Sequence, residues 1–190
     1  MASYYGGIVV DIAEEGLERV IKILAGVPGG YQRAVGSAIK RAASTALTFA
    51  KREITKEYTL SSGVFLRRTR NINHFTHGGM GVEIGFRGAA IPLAQFSFQA
   101  SKNGGVKVNV KKSTGVKSLD HAFLATAYSH TGIWERVGRS RFPIHELFGP
   151  ATPQMMYSNE DVADGIEDKL AETYLKRIDH EIARILCGWG

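Results

Sequence analysis

Residues 31–58 read YQRAVGSAIKRAASTALTFAKREITKEY, and they carry the strongest local pattern in the chain. Their apolar residues recur at steps of three and four, which predicts one amphipathic helix of about seven turns, roughly 40 Å long at 1.5 Å per residue. Most of the stripe is alanine, and small side chains let a second helix or a sheet approach closely. Its members are Ala34, Val35, Ala38, Ile39, Ala42, Ala46, Phe49, Ala50 and Ile54.

Three further segments have helical spacing. An apolar series begins behind a group of glutamates, which favour a helix start, and it ends before the Gly26–Gly30 break. Thr59 or Ser61 provides the cap for a short helix that ends at Arg67–Arg70. The last helix is predicted from Asn159 to Cys187. The apolar positions of the first segment are Leu17, Val20, Ile21 and Leu24, and those of the short helix are Val64, Phe65 and Leu66. Those of the last helix are Val162, Ile166, Leu170, Tyr174, Ile178, Ile182 and Ile185.

Between these helices, β-branched and aromatic residues alternate with glycine-containing breaks, which predicts a series of short strands. One further short strand is predicted near the start of the chain. The candidates are Ile8–Ile12, Ile72–His77, Gly81–Phe86, Ala94–Ala100, Val106–Val110, Ala122–Tyr128 and Gly132–Val137.

Together these elements predict an α+β fold, with a central antiparallel sheet of about four to six strands packed by a long N-terminal helix and a long C-terminal helix. At 190 residues, one domain over residues 1–190 is expected. Lys102–Lys117 is rich in lysine and glycine and is predicted to be a mobile loop that projects from the body. Residues 138–156 contain three prolines and are predicted to form an extended arm.

The net charge of +6 is unevenly distributed along the chain. Residues 33–70 carry nine bases and two acids, and residues 102–141 carry eight bases and two acids. The ends are acidic, with net charges of −2 over residues 1–32 and −5 over residues 142–190. Such charge blocks are typical of two kinds of binding. In the first, the basic side binds nucleic acid; in the second, the acidic end of one copy binds the basic block of the next, head to tail. A solvated surface without a partner is the third interpretation.

The stretch Ser129–Pro150, SHTGIWERVGRSRFPIHELFGP, combines charge with aromatic residues. This mixture of charged and aromatic residues indicates an edge strand or an arm that binds a partner. His145 and Glu146 within it are expected to form a surface pair. The arginines of the stretch are Arg136, Arg139 and Arg141.

Patterns typical of catalytic and metal sites are weak. The six histidines lack an HExxH pattern and a cysteine pair, since Cys187 is the single cysteine. Ser129, His130 and Ser140 lack a GxSxG turn and a third triad member. The acids of the last helix could hold magnesium for nuclease chemistry, but acid-rich helix faces more often lie in solvent or dock against arginines. We therefore predict a protein that is not an enzyme, with no catalytic, cofactor-binding or metal site and no cofactor.

Several short motifs occur in order between Ala38 and Met156. They are AIKRAASTALTFAKREITKEY and the following SSGVFLRRTR, then IPLAQF at Ile91–Phe96, HAFLAT at His121–Thr126, and GIWERVGRSRFPIHELFGPATPQMM at Gly132–Met156. In this order the set resembles the minor tail protein Z family of long-tailed bacteriophages and prophages, whose members are tail completion proteins.

The resemblance implies a structural virion protein that completes the head-proximal end of the tail for head–tail joining, present in the host cytoplasm during assembly. It also implies an oligomeric ring around a passage for DNA, with six copies the usual number, and neighbouring tail or neck proteins as partners. No catalytic residues are known for the family, so none are carried over. Because no apolar run approaches the roughly 20 residues of a membrane span, no membrane partner is expected.

In a closed ring, each copy presents one surface to one neighbour and a different surface to the other. We expect the acidic last helix to lie against arginines of the adjacent subunit. The candidates for this interface are Arg136, Arg139 and Arg141 on one side and Asp161, Asp164, Glu167 and Asp168 on the other. Candidates for the DNA passage or another partner are Arg67, Arg68, Arg70, Lys107, Lys111 and Lys112.

Two alternatives from other classes stay open. The first is a non-specific DNA-binding protein that uses a basic helix face within residues 33–70; the scarcity of aromatic residues there argues against sequence-specific binding. The second is a nuclease or hydrolase that uses the acids of the last helix.

Overall fold

The structure is a computed structural model of the chain, and it describes residues 3–10, 14–75, 82–101 and 105–188. These residues form five α-helices, one 3-10 helix at Leu93–Gln95, and ten strands. The α-helices are α1 (Glu14–Ile23), α2 (Gly30–Glu57), α3 (Ser62–Arg68), α4 (Thr152–Tyr157) and α5 (Glu160–Leu186). The strands are β1 (Ser3–Val10), β2 (Thr69–Phe75), β3 (Val82–Pro92), β4 (Ser97–Ala100), β5 (Val106–Asn109), β6 (Lys117–Leu119), β7 (Ala122–Ala127), β8 (His130–Arg136), β9 (Ile144–Glu146) and β10 (Phe148–Ala151).

The described strands are divided among three sheets. In the four-stranded sheet, β3 pairs with β1, β2 and β10, while β4–β5–β6 and β7–β8–β9 form two three-stranded sheets. The β3–β10 pairing and the pairings inside both three-stranded sheets are antiparallel. Helices of the N-terminal region and α5 pack on sheets, which confirms the predicted α+β class. Among the described residues the strands thus form three sheets: six of them pair with sequence neighbours in the two three-stranded sheets, whereas β3 also pairs with β1 and β10, which are distant in sequence.

The chain divides into two compact units, each built from three separate parts of the sequence. The sheet-rich unit comprises Met1–Tyr4, Lys51–Arg70 and Gly88–Met155. The helix-rich unit comprises Tyr5–Ala50, Asn71–Arg87 and Met156–Gly190. The single domain expected over residues 1–190 thus contains two compact units.

In the helix-rich unit, the two long helices follow the predicted pattern closely. The predicted helix Tyr31–Tyr58 is observed as α2, and the predicted last helix is observed as α5, whose N-cap Asn159 accepts the Asp161 N–H. Every predicted apolar position of α5 is buried. On α2 the alanines four residues apart are fully buried, as the small-residue stripe predicted. They are Ala34, Ala38, Ala42, Ala46 and Ala50.

In the sheet-rich unit, α3 begins at the N-cap Ser61, one of the two predicted caps, whose hydroxyl accepts the Val64 N–H. The end of α2 is tied to the turn after β5. There the Lys112 N–H donates to the Glu57 carbonyl over 2.9 Å, and the Thr59 N–H donates to the Val110 carbonyl over 3.1 Å. The core of this unit is apolar. Fully buried members include Ile54, Phe65, Ile91, Ile133 and Met155.

The predicted projecting loop at Lys102–Lys117 differs from the structure. Residues 102–104 lie outside the described residues, but β5 pairs with β4 on one side and β6 on the other. Val106 and Val108 are buried, while Lys107 between them is exposed. The strand predicted at Val106–Val110 is thus confirmed as β5, a half-buried strand in which only every second residue needs to be apolar.

The predicted extended arm over residues 138–156 holds only for its first part. Residues 138–143 are exposed and have no regular secondary structure, but β9, β10 and α4 follow, and Ala151, Met155 and Met156 are buried. The prolines fit these elements. Pro150 lies where the β3–β10 register shifts, and Pro153 lies in the first turn of α4, where its missing N–H would be unsatisfied in any case.

The other strand predictions are confirmed in position but not in length. β7 and β8 agree with the predictions to within two residues at each end, whereas Ala94–Ala100 begins with the 3-10 helix and becomes a strand only at Ser97. β3 extends to Pro92, beyond the predicted end at Phe86. Ile12, His77 and Gly81, at the ends of three predicted strands, lie outside the described residues.

Candidate interaction surface

The clearest exposed surface of the sheet-rich unit is the connection between β8 and β9. Residues 137–143, called the arginine loop below, are closed by the Val137 N–H, which donates to the Pro143 carbonyl over 3.1 Å. Within the loop, the side chains of Val137 and Phe142 are 65% and 62% exposed. Arg139 and Arg141 are exposed as well. The loop therefore presents apolar and cationic side chains to solvent together.

Arg136, the last residue of β8, lies at the root of this loop, next to its first residue, and contacts the sheet. Its guanidinium lies 5.5 Å from the ring centroid of Phe123 on β7, in the range of a cation–π contact. One of its amino groups, Nη1, also donates to the Ser140 carbonyl over 3.5 Å. Arg136 thus has contacts inside the sheet, whereas the ring contact of the Arg141 guanidinium within the described residues is with its own neighbour Phe142, at 5.9 Å. Arg139 and Arg141 are the freer members of the predicted arginine set.

Arginine and aromatic side chains are the residue types that dominate the binding energy of protein interfaces. A guanidinium is weakly hydrated and forms paired hydrogen bonds with carboxylates, so its transfer from water into an interface is less costly than for lysine. The arginine loop therefore has the composition of a binding segment for an acidic surface.

A buried carboxylate lies on one face of the same sheet. The Glu146 side chain on β9 is 8% exposed, and its Oε1 lies 3.0 Å from Nε2 of His130 on β8. The two side chains form an ion pair when the imidazole is protonated. Glu146, and then the Tyr128 carbonyl, raise the pKa of His130 above its usual value.

Trp134 and Gly132 complete this cluster. The indole N–H donates to the Ala125 carbonyl over 2.9 Å, and the indole ring lies 5.3 Å from the His130 ring and 5.6 Å from the Tyr128 ring. A Cβ at position 132 would lie 2.6 Å from Glu146 Oε1, so a residue other than glycine would displace the carboxylate. The cluster was not predicted; the sequence signal was the glycine two residues before a tryptophan in a strand.

A second histidine–glutamate pair lies on the opposite face. His145 Nε2 is 3.5 Å from Glu135 Oε2, and the two residues are direct partners in the β8–β9 register. The expected pair of His145 with Glu146 is therefore wrong. Adjacent residues of a strand point to opposite faces, so each of the two finds its partner on β8 instead.

The predicted acidic set lies on the first half of α5, in the helix-rich unit. All four side chains are exposed, and none has an ion pair among the residues that the structure describes. They are Asp161, Asp164, Glu167 and Asp168. The next acid on the helix differs, because Glu172 contacts Lys169 and Lys176 at 2.5 and 2.6 Å and its pKa is lowered to about 2.

The predicted basic set divides into two groups. Lys111 pairs with Glu57 at 2.5 Å, which raises the lysine pKa, and Lys112 Nζ donates to the Thr55 carbonyl over 2.9 Å. Both lysines thus stabilise the C-terminal end of α2, where cations are favoured. The remaining members lie at the end of α3, at the start of β2 and on β5; Arg68 is half-buried and the others are exposed. These are Arg67, Arg68, Arg70 and Lys107.

The two units differ in charge. The residue ranges of the sheet-rich unit contain fourteen lysines and arginines and five acids, for a net charge of +9. Those of the helix-rich unit contain ten lysines and arginines and thirteen acids, for a net charge of −3. Each acid of the sheet-rich unit already has a partner within that unit. Glu53 pairs with Arg52 and Lys56, Glu57 with Lys111, Glu135 with His145 and Glu146 with His130, while Asp120 accepts the Ser118 hydroxyl. The unit therefore has a surplus of positive charge that it does not neutralise itself.

Comparison of the chain with protein-family models, curated proteins and solved structures finds no match. The resemblance to phage tail completion proteins therefore stays a prediction. Within the described residues, no three potential metal ligands come together, and no helix is long and apolar enough to cross a membrane.

Proposed function

We propose that this chain is a structural assembly protein, which acts by binding rather than by catalysis and joins further copies of itself head to tail. On the resemblance between Ala38 and Met156, we place it at the head-proximal end of a phage or prophage tail, where it completes the tail for head–tail joining. The ring, with six copies as the usual number, and contacts with neighbouring tail or neck proteins belong to the same proposal.

One observation carries this proposal. The arginine loop exposes Arg139, Arg141 and two apolar side chains on a unit whose acids all have internal partners. Because four of the five acids already pair with basic side chains inside the unit, we expect an acidic group that binds the loop to come from outside it.

The acidic half of α5 supplies the complementary surface in a second copy. Its four carboxylates are exposed and have no ion pair in the described part of the chain. Because the arginine loop and the acidic surface differ, their contact is heterologous, and repetition of it gives a ring or a filament.

Charge reversal at the loop tests the proposal. We expect Arg139→Glu with Arg141→Glu to weaken self-association by at least about 30-fold, since an interfacial charge pair that loses its partner costs about 2 kcal/mol or more. Light scattering coupled to size-exclusion chromatography measures the change. The matched control is Arg33→Glu with Lys40→Glu, which alters the net charge equally at exposed sites on α2. Equal assembly of both double variants would refute the proposal.

Non-specific DNA binding is the second candidate. It is favoured by Arg67, Arg68 and Arg70, three bases within four residues with no ion pair in the described chain. If these residues contact phosphates, changing all three to glutamine should reduce the slope of log affinity against log salt by about 3 on random duplex DNA. An unchanged slope would exclude this surface as the DNA site.

A further inference from the structure

We propose that two histidine–glutamate pairs form a proton-dependent clamp on the β8–β9 hairpin, which fixes the root of the arginine loop at acidic pH and releases it at alkaline pH. The clamp follows from the geometry of the hairpin alone. Its consequence for partner binding rests on the proposed function.

The two pairs join the same two strands from opposite faces. His130 and Glu135 lie on β8, and their partners Glu146 and His145 lie on β9, at 3.0 and 3.5 Å. β9 has only three residues, so these pairs involve two of its three side chains. The arginine loop is the segment that connects the two strands. Any loosening of β9 therefore reaches the loop directly.

The carboxylate of Glu146 makes the clamp sensitive to protons. The Glu146 side chain is only 8% exposed, and its Oε1 has no hydrogen-bond donor among the described residues. A buried negative charge is unfavourable unless a cation lies beside it. Protonated His130 supplies this cation, whereas the neutral imidazole does not.

Few other titratable groups face the two histidines. His130 is approached by Glu146 from β9 and by the carbonyl and ring of Tyr128 from the hairpin turn, and the uncharged indole of Trp134 lies beneath it. His145 is approached by Glu135 from β8. The pKa of His130 is raised from 6.5, so its stabilising effect is fully present below 6.5 and is lost as pH rises through the higher folded-state value.

Hydrogen exchange of the full-length protein tests the clamp without any partner. The amides of residues 138–142 and of β9 are compared at about pH 5.5 and about pH 8, after correction for the intrinsic pH dependence of exchange. We expect protection to fall by about 1.5- to 5-fold at the higher pH, the range of a single ion pair. The variants His130→Gln and Glu146→Gln should weaken this pH dependence, because they remove one of the two pairs, while His180→Gln, at an exposed site of α5, should leave it unchanged.

The contrary results are equally specific. The same pH dependence in Glu146→Gln as in the parent protein, or equal protection of the parent at both pH values, would overturn the clamp. If Glu146→Gln fails to fold by circular dichroism, His130→Gln alone decides the test, with the same expected direction. Because no partner is present, failure here is distinct from failure of the assembly proposal.

Discussion

Replacement of Gly165 by alanine should destabilise the protein, although alanine is the better helix former. A Cβ at this position of α5 would lie 2.8 Å from two ring carbons of Phe49 on α2. Displacing a ring in a well-packed contact costs about 1–3 kcal/mol. The helical preference of alanine over glycine offsets about 0.5–1 kcal/mol of this. We expect a net loss of about 1 kcal/mol in the free energy of unfolding.

The matched control is Gly36→Ala on α2, where a Cβ would meet nothing within 4 Å. This variant should gain about 0.5–1 kcal/mol, so the two variants should differ by about 1–3 kcal/mol, the effect of the ring contact alone. Urea unfolding followed by circular dichroism measures both. With Phe49→Ala in the background, Gly165→Ala should become stabilising. If Gly165→Ala and Gly36→Ala stabilise equally, the two long helices do not approach as closely as described.

Three further predictions concern stability and titration. Ser129→Gly should raise the free energy of unfolding by about 0.5–1 kcal/mol in urea, because Ser129 has a φ of 71° that glycine adopts without strain; a loss would show that the serine side chain is needed. Leu170→Ala, at a fully buried position of α5, should cost about 3 kcal/mol in the same assay, and a cost typical of surface sites would place Leu170 outside the core. The Glu172 carboxyl should titrate near 2, and its contribution should persist above 4.5 and disappear as pH falls through that low value. In about 1 M salt the midpoint of the Glu172 titration, followed by NMR, should move toward 4.5, since Lys169 and Lys176 act through exposed contacts. A midpoint that does not change with salt would contradict this.

The helices could be predicted because their signals are local and repeated. The alanine stripe of α2 and the apolar stripe of α5 recur over many turns, so single exceptions do not obscure them. The strands were harder to predict from the sequence. β9 and β10 have three and four residues, with histidine, glutamate and proline among them, and the sequence predicted an extended arm in their place. Too few residues remain in such strands for alternation to be recognised.

The interaction surface could be predicted only in part. Charge and aromatic content already marked Ser129–Pro150, and the structure places Arg139 and Arg141 in the exposed loop within it. The contact of His130 with Glu146 could not be inferred, because it depends on the β8–β9 register, which brings together residues far apart in sequence. The same holds for Lys111 with Glu57, whose pairing depends on how the end of α2 meets the turn after β5.

The most direct test of the central claim mixes two variants that each lack one of the two proposed surfaces. Arg139→Gln with Arg141→Gln removes the loop charges, and Asp164→Asn with Asp168→Asn removes charges of the acidic helix. Under head-to-tail assembly each double variant alone stays monomeric, because every contact needs both surfaces. Their mixture should give a one-to-one dimer and nothing larger, observed by native mass spectrometry. A mixture that remains monomeric while the parent protein assembles, or a double variant that assembles alone, would contradict the account.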